Sequence, residues 1–395
     1  MRTLPDGMAD ALRGSAGDVR VIVNIWYGGK LVFPDVPIRS WSISWDSTRQ
    51  IMGQGKYEIS DPDSTLLPWS YDDALSVGGG QVQTKLVVGT TSLDLAFQRI
   101  TRSTNDENWR LFEPTAGLAN SPKTWIAGGH IIQIDADDNT TMVASSTFLA
   151  PETPPPSATV FSEIRRVCSG IMDVIIDPAL TDRTVPSTVV YKDRMVTVQQ
   201  LADALDAGLR VTGGGQLNLY KRPTTSSWTV AGGAHDAQLI KAKRSALYSG
   251  LYNGVVSRNT LPNGAEIQGI ALQGGGPLGW NGPHGHVPYI HQANFATDQS
   301  SIDQDAQTML ATLIRRRASS IPFTALLNPA VETGDIATLM LPIIDGSEQP
   351  LPGIISAVAI GGTGSVNPVM DYILDVTDTA MAAAGQANRI RKWLP

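Results

Sequence analysis

The sequence predicts a mainly β protein with inserted α/β elements, and three observations carry that expectation. Of 395 residues, 38 are glycine and 25 are proline while only 17% are charged, a turn-rich and charge-poor composition. Residues 40–45 alternate strictly, with Trp41, Ile43 and Trp45 on one side and three serines on the other. That is the period of a strand covering a core with one face. Four prolines crowd residues 151–156, a stiff boundary beyond which the apolar spacing changes from two residues to helical. With 42% apolar residues the chain has material for a sizeable core and roughly two to four domains.

Taken in order, residues 20–26 alternate, Gly28 and Gly29 supply a tight turn, and 31–33 resume an apolar run. Strands are expected at 56–60, 83–88 and 92–97. Residues 130–134 and 141–145 then flank the polar run 135–139 as strand, turn and strand. After the prolines, Val160, Ile164, Val167, Cys168 and Ile171 recur at helical spacing, which predicts a helix over 159–172 with Cys168 on its buried face. Thr197 to Gln200 has capping-box spacing and opens a second helix through Val198, Leu201, Ala202 and Leu205. Short strands follow at 216–220, 228–230 and 253–258. The Gly/Pro-rich stretch 272–288 has no periodicity and reads as a long loop. The strongest helix is 300–317, where Ile302, Ala306, Met309, Leu310, Leu313 and Ile314 share a face and Arg315 to Arg317 complement the dipole at its end. Strands at 335–341, 353–360 and 370–376 complete the chain.

Chemistry is sparse. The net charge of −7 argues against a duplex nucleic-acid binder. A single cysteine, Cys168, excludes an intrachain disulfide framework, and its helical position makes it a small buried hydrophobe and not a nucleophile. His284, His286 and His291 fall within eight residues, but glycines and prolines surround them and loop histidines are the better reading. Asp135, Asp137 and Asn139 begin like a calcium loop, yet Thr140 stands where glycine belongs and Ser146 where a bidentate glutamate belongs. No nucleophile elbow or phosphate-binding glycine motif is present. No catalytic, cofactor-binding or metal-ligating residue is assigned, and no cofactor is expected. Nine tryptophans exceed seven phenylalanines; Trp41 and Trp45 read as core, and Trp280 as a contact residue in its loop. The first 18 residues lack the apolar centre of a secretory signal.

The order of parts carries a resemblance. A β-rich start precedes the helix at Ser162 to Arg166, then Asp182 to Pro186, Tyr191 to Arg194, Gln200 to Ala204, Gly214 to Leu217 and Tyr252 to Val256. Late in the chain come the long helix and a turn containing Asn328, Pro329, Glu332, Gly334 and Asp335. From about residue 18 to 379 this resembles the tail-hub minor tail proteins of long-tailed actinobacterial bacteriophages, relatives of contractile-tail baseplate hubs. The resemblance implies two tail-tube-like β-barrel domains plus a small mixed α/β region. It divides the chain into 1–155, the first barrel; 156–225, the mixed unit; 226–385, the second barrel, from strands in 226–260 and 320–380 with 261–319 inserted; and a tail, 386–395. It implies a homotrimeric ring in the virion tail tip, assembled in the host cytoplasm. A distal tail protein or the tail tube would lie above, and tail-tip, fibre or other minor tail proteins below. Tape-measure protein and transiting DNA would pass through the lumen without specific nucleic-acid recognition. The chain ends at Pro395 soon after the last strand, so no added enzymatic domain is expected.

A carbohydrate-binding or carbohydrate-cleaving β protein using exposed tryptophan and a carboxylate pair is the main rival, and a metalloenzyme built on His284 to His291 the third reading. The acidic balance leads to a prediction for the hub: its inner wall carries an acidic or neutral potential, since a basic wall would hold the phosphate backbone instead of letting it slide. The electrostatic map of an assembled ring checks this, and a strongly positive lumen contradicts it.

Overall fold

The computed structural model describes residues 1–13, 19–112, 124–232, 238–243, 251–261, 264–293, 296–316, 319–342, 348–363 and 369–376. A short helix α1 (Met8–Arg13) precedes β1 (Val19–Tyr27), β2 (Lys30–Phe33), β3 (Ile38–Asp46), β4 (Gly53–Asp61), β5 (Gly80–Val88) and β6 (Thr91–Asp106). A hairpin, β7 (Trp109–Phe112) and β8 (Thr124–Ala127), leads into β9 (His130–Asp138) and α2 (Thr140–Ser145). A mixed unit follows: α3 (Val160–Cys168), β10 (Val174–Ile176), α4 (Arg194–Ala204), β11 (Ala207–Val211) and β12 (Leu217–Lys221). Next are β13 (Trp228–Val230), β14 (Leu239–Ala242), β15 (Gly254–Thr260), β16 (Glu266–Leu272), β17 (Pro288–Gln292) and α5 (Gln299–Arg316). The last strands are β18 (Ser319–Leu326), β19 (Ile336–Pro342), β20 (Glu348–Thr363) and β21 (Val369–Val376).

Thirteen of these strands form one sheet in the order β14-β18-β21-β20-β3-β4-β9-β6-β5-β1-β2, with β19 on β20 and β13 on β19. Strands from both ends of the chain therefore share one hydrogen-bonded surface. The join is β20 on β3, where residues from Ala357 to Thr363 run antiparallel to Asp46 through Ser40. Strand β20 can do this because it is long. Its first part pairs with β19, its middle with β21 across a bulge beside Ser356, and its last part with β3. Strand β6 is also 16 residues long and divides itself likewise, pairing first with β5 and then with β9.

The period-2 expectation at 40–45 is met: Trp41 and Ile43 are buried and Ser42 and Ser44 exposed. One continuous core lies behind the sheet, joining Ile25, Ile43, Tyr57 and Ile132 to Phe323, Ile355 and Tyr372. Trp228, Phe323 and Tyr372 pack ring against ring at 5.1–6.1 Å within it, a geometry that adds to the burial of large aromatic surface. A second core holds α2, α3, α4 and the three-stranded sheet β10-β12-β11 together. In a third layer α5 covers one face of the sheet β16-β15-β17 through Ile302, Ala306 and Leu310.

Two local expectations are corrected. Residues 141–145 are helical, not a strand: Thr140 and its neighbours form α2, and Asp138 accepts from the backbone N–H and hydroxyl of Thr140 at its start. Here tertiary packing overrides the β tendency of a Thr-Thr-Met-Val run, since Val143 is driven into the second core. The cap of α4 is Asp193, which accepts from Val196 N–H at 2.8 Å, while Thr197 lies inside the helix with its hydroxyl on the Asp193 carbonyl. Aspartate caps at least as well as threonine. Elsewhere the expected helix over 159–172 is α3, capped by Thr159 and ending at Cys168; Cys168 is fully buried, and 273–287 is a loop.

At the join Gly361 has no room for a side chain, because a Cβ there would lie 2.6 Å from the Trp41 carbonyl oxygen. Gly361→Val should therefore pry β20 from β3 and cost about 1–3 kcal/mol, read as a lower thermal midpoint. Ala359→Val, on the exposed face two residues away, should leave the midpoint nearly unchanged.

Candidate functional site

The outer face of the large sheet is polar from β6 across β9, β4 and β3 onto the last part of β20, and register shows how. Running across β20, β3, β4, β9 and β6, one row is Gly361, Ser42, Lys56, Asp135 and Arg102; the next is Thr363, Ser40, Glu58, Gln133 and Thr104. On the other side, Ala359 pairs with both Ser44 and Asp371, and Asp371 with Thr324. The alternation that buries Trp41, Ile43, Tyr57 and Ile134 therefore sends small, hydroxyl, amide and charged groups outward from β3, β4, β9 and β6, while Pro322 and Ile373 join that face on β18 and β21. Two adjoining concavities of about 670 and 450 Å³ lie on this face and share Ala359 and Asp371. Their charges are interleaved: Lys56, Arg102 and Lys241 sit among Glu58, Asp135 and Asp371. Arg102 lies 3.9 Å from Asp135, and Thr324 donates to Asp371 at 2.6 Å. Partial burial, with Asp135 beside it, holds the Asp137 carboxyl above the usual range. Such a face offers no concentrated charge of either sign.

Where the mixed unit meets the sheets, a group of ions clasps three parts of the chain. Glu332, in the turn singled out by the sequence, takes Arg2 on one carboxylate oxygen at 3.1 Å and Arg210 of β11 on the other at 2.9 Å. Asp335 accepts the amino group of Met1 at 2.6 Å and lies 3.7 Å from Arg210. It also accepts from the backbone N–H of Glu332, which fixes the turn. Arg210 stacks 4.5 Å over the Tyr220 ring of β12. The Tyr220 hydroxyl occupies the space where Gly334, at φ +88°, would carry a Cβ, so no other residue fits. The Gly334 N–H and carbonyl of Ile355 then tie the turn to β20 at 2.7 Å. A small cavity of about 20 Å³ beneath, between Leu95, Val331 and Val358, shows where the three parts converge. The sequence marked Glu332, Gly334 and Asp335 only as a turn; their partners Arg2 and Arg210 carry no local signal and lie 330 and 122 residues away.

The other candidates disperse. His284 bonds the Leu251 carbonyl, His286 stacks on Trp280 at 4.3 Å, and His291 lies 3.6 Å from Asp305 on the helix-covered side of β17. Among the described residues no group of three or more His, Cys, Asp or Glu side chains is placed to hold a metal ion. Asp135 and Asp137 project from β9, Asn139 bonds the Gly215 carbonyl, and Asp138 points inward, where burial pushes its carboxyl up to about 6. Burial likewise pushes the Cys168 thiol up to about 11, out of the nucleophilic range. Exposed Trp69 and Tyr71 stand on a loop, and Trp109 and Trp125 on the β7–β8 hairpin, so the exposed tryptophans do not line the concavities. Arg317 and the side chains of Arg315 and Arg316 lie outside the described residues.

No protein-family model and no curated protein sequence matches the chain. Solved structures do. The chain is similar to a tail protein from Neisseria meningitidis, with a TM-score of 0.57 and 11% identity over 90% of this chain and 96% of that one. It is similar to the 43 kDa tail protein of a prophage from Shewanella oneidensis, at 0.55 and 11% over 91% and 99%. A prophage tail protein from Listeria monocytogenes follows at 0.51 and 10%, over 94% and 99%. The chain thus has the mainly β fold of these tail proteins, along nearly its whole length and theirs.

Removing one partner of the clasp leaves opposite charges in a half-closed site. Glu332→Gln should cost about 3 kcal/mol, and limited proteolysis should then cut within 156–225 faster than in the parent. An unchanged midpoint and cleavage pattern would show that the clasp holds nothing.

Proposed function

We propose that the protein is a structural subunit of a bacteriophage tail, a hub whose three copies close into a ring at the distal end. Likeness to tail proteins over nine-tenths of the chain supports this. The observation that carries it is the polar face that runs from β6, β9, β4 and β3 onto β20, strands from both ends of the chain. On this reading residues 1–155 and 226–385 supply one tube-like unit each, so three chains present six to a six-fold tail tube or distal tail protein. The matching division of labour in β6 and β20 supports that pairing. The polar face turns to the axis and lines a channel for DNA or a tape-measure protein. Interleaved charges suit the role, because a moving polyanion finds neither a trap nor a strong barrier. Tail-tip or fibre proteins would occupy the lower rim, and the work is mechanical, without catalysis.

Mass measurement of the purified native particle tests the stoichiometry. The ring predicts a species of three chains with an interface above the roughly 1,600 Å² of standard complexes. A stable single chain at high concentration, or a particle of two or four, contradicts it.

A further inference from the structure

Two exposed apolar surfaces of this chain match each other row by row, and a ring of identical copies needs such a pair. A cyclic ring is built from heterologous contacts, in which each copy offers two different, complementary surfaces. The first surface is the β7–β8 hairpin, whose strands pair only with each other among the described residues. An isolated two-stranded ribbon is marginal in water. This one is anchored at its base, where Gly128 N–H bonds the Asn108 carbonyl and Asn108 N–H bonds buried His130. From base to tip one side carries Glu107, then Trp109, then Leu111 with Trp125 opposite it. Trp109, Leu111 and Trp125 are 41%, 41% and 63% exposed.

The second surface is the side of β16-β15-β17 that α5 leaves uncovered. Its rows are Arg258 between Gln268 and Gln292, then Val256 between Ile270 and Ile290, then Gly254 between Leu272 and Pro288. Ile270, Leu272 and Ile290 are 57%, 47% and 63% exposed, and Trp280 lies against Gly254 at the end of the face. Both surfaces read charge, apolar, apolar at the same strand pitch of about 6.7 Å per two residues. The charges are opposite, and neither Glu107 nor Arg258 has an ion-pair partner among the described residues. Apolar patches of this kind on a soluble chain mark interaction surfaces.

We infer that the β7–β8 hairpin of one copy docks on the uncovered face of the β15 sheet of the next copy. Glu107 then meets Arg258, Trp109 covers Ile270 and Ile290, and Leu111 and Trp125 reach Leu272. This pairing rests on the threefold-ring reading, and deepens it by naming the contact that closes the ring.

The single cysteine is buried, so engineered pairs report cleanly. Leu111→Cys with Leu272→Cys in one chain, both at exposed positions, should on mild oxidation give covalent species of two and three chains. The out-of-row pair Leu111→Cys with Gln268→Cys should link several-fold more slowly. Glu107→Arg or Arg258→Glu alone should lower the trimer fraction, and the two together should restore it. A trimer that forms without the Leu111–Leu272 link overturns this contact and leaves the ring standing. A chain that stays single and unlinked overturns both. A link formed only within one chain overturns the contact.

Discussion

Seven paired positions between β20 and β3 decide what this molecule can be. Without them the chain would hold two separate β surfaces; with them it holds one. Because side chains alternate along every strand, a single register between β20 and β3 sets both sides at once. Ile360 and Ile43 go to a shared core, and Gly361 and Ser42 to a shared outer face. A slip of one residue would bury serines and expose tryptophan over the whole width. Gly361 is part of that constraint, since β3 approaches too closely there for a larger residue.

The remaining parts are fixed to this sheet by contacts of a different kind. The mixed unit has its own core around Ile164, Val198 and Leu219 and needs only to be held in place. Glu332 and Asp335 do so by collecting Arg2 and Arg210, both largely shielded from water, together with the Met1 amino group. Such ion groups add little net stability over an apolar contact of equal shape, but they are costly to break and specific in geometry. They suit a joint that must sit at one angle. The β15 sheet and α5, by contrast, leave an apolar face open to solvent, and so does the β7–β8 hairpin. Exposed apolar faces of this kind on a charge-poor surface are suited to contact with another protein surface.

Much of the fold was legible because it is written locally. Trp41, Ile43 and Trp45 declare a strand, Val160 to Cys168 a helix, and the prolines at 151–156 a change of texture. The errors fall where long-range packing decides. Residues 140–145 have β-like composition but close against the second core as a helix. Strand β16 was hidden by its glycine, Gly269, which is there because the backbone of Ile302 passes within 2.4 Å of where its Cβ would stand. Of the polar face, only the serines that alternate with Trp41, Ile43 and Trp45 were legible. Its continuity was not, since the β20–β3 pairing spans more than 300 residues of sequence. The clasp was half visible: the turn stood out, while Arg2 and Arg210 look like any surface arginine.

Electron cryomicroscopy of the assembled tail end tests the central claim most directly, through the orientation of β3, β4 and β9 relative to the particle axis. A threefold particle with Ser42, Lys56 and Gln133 on the wall of its central channel is what the continuous polar face predicts. Those side chains on the outer surface, or a particle without threefold symmetry, would contradict it.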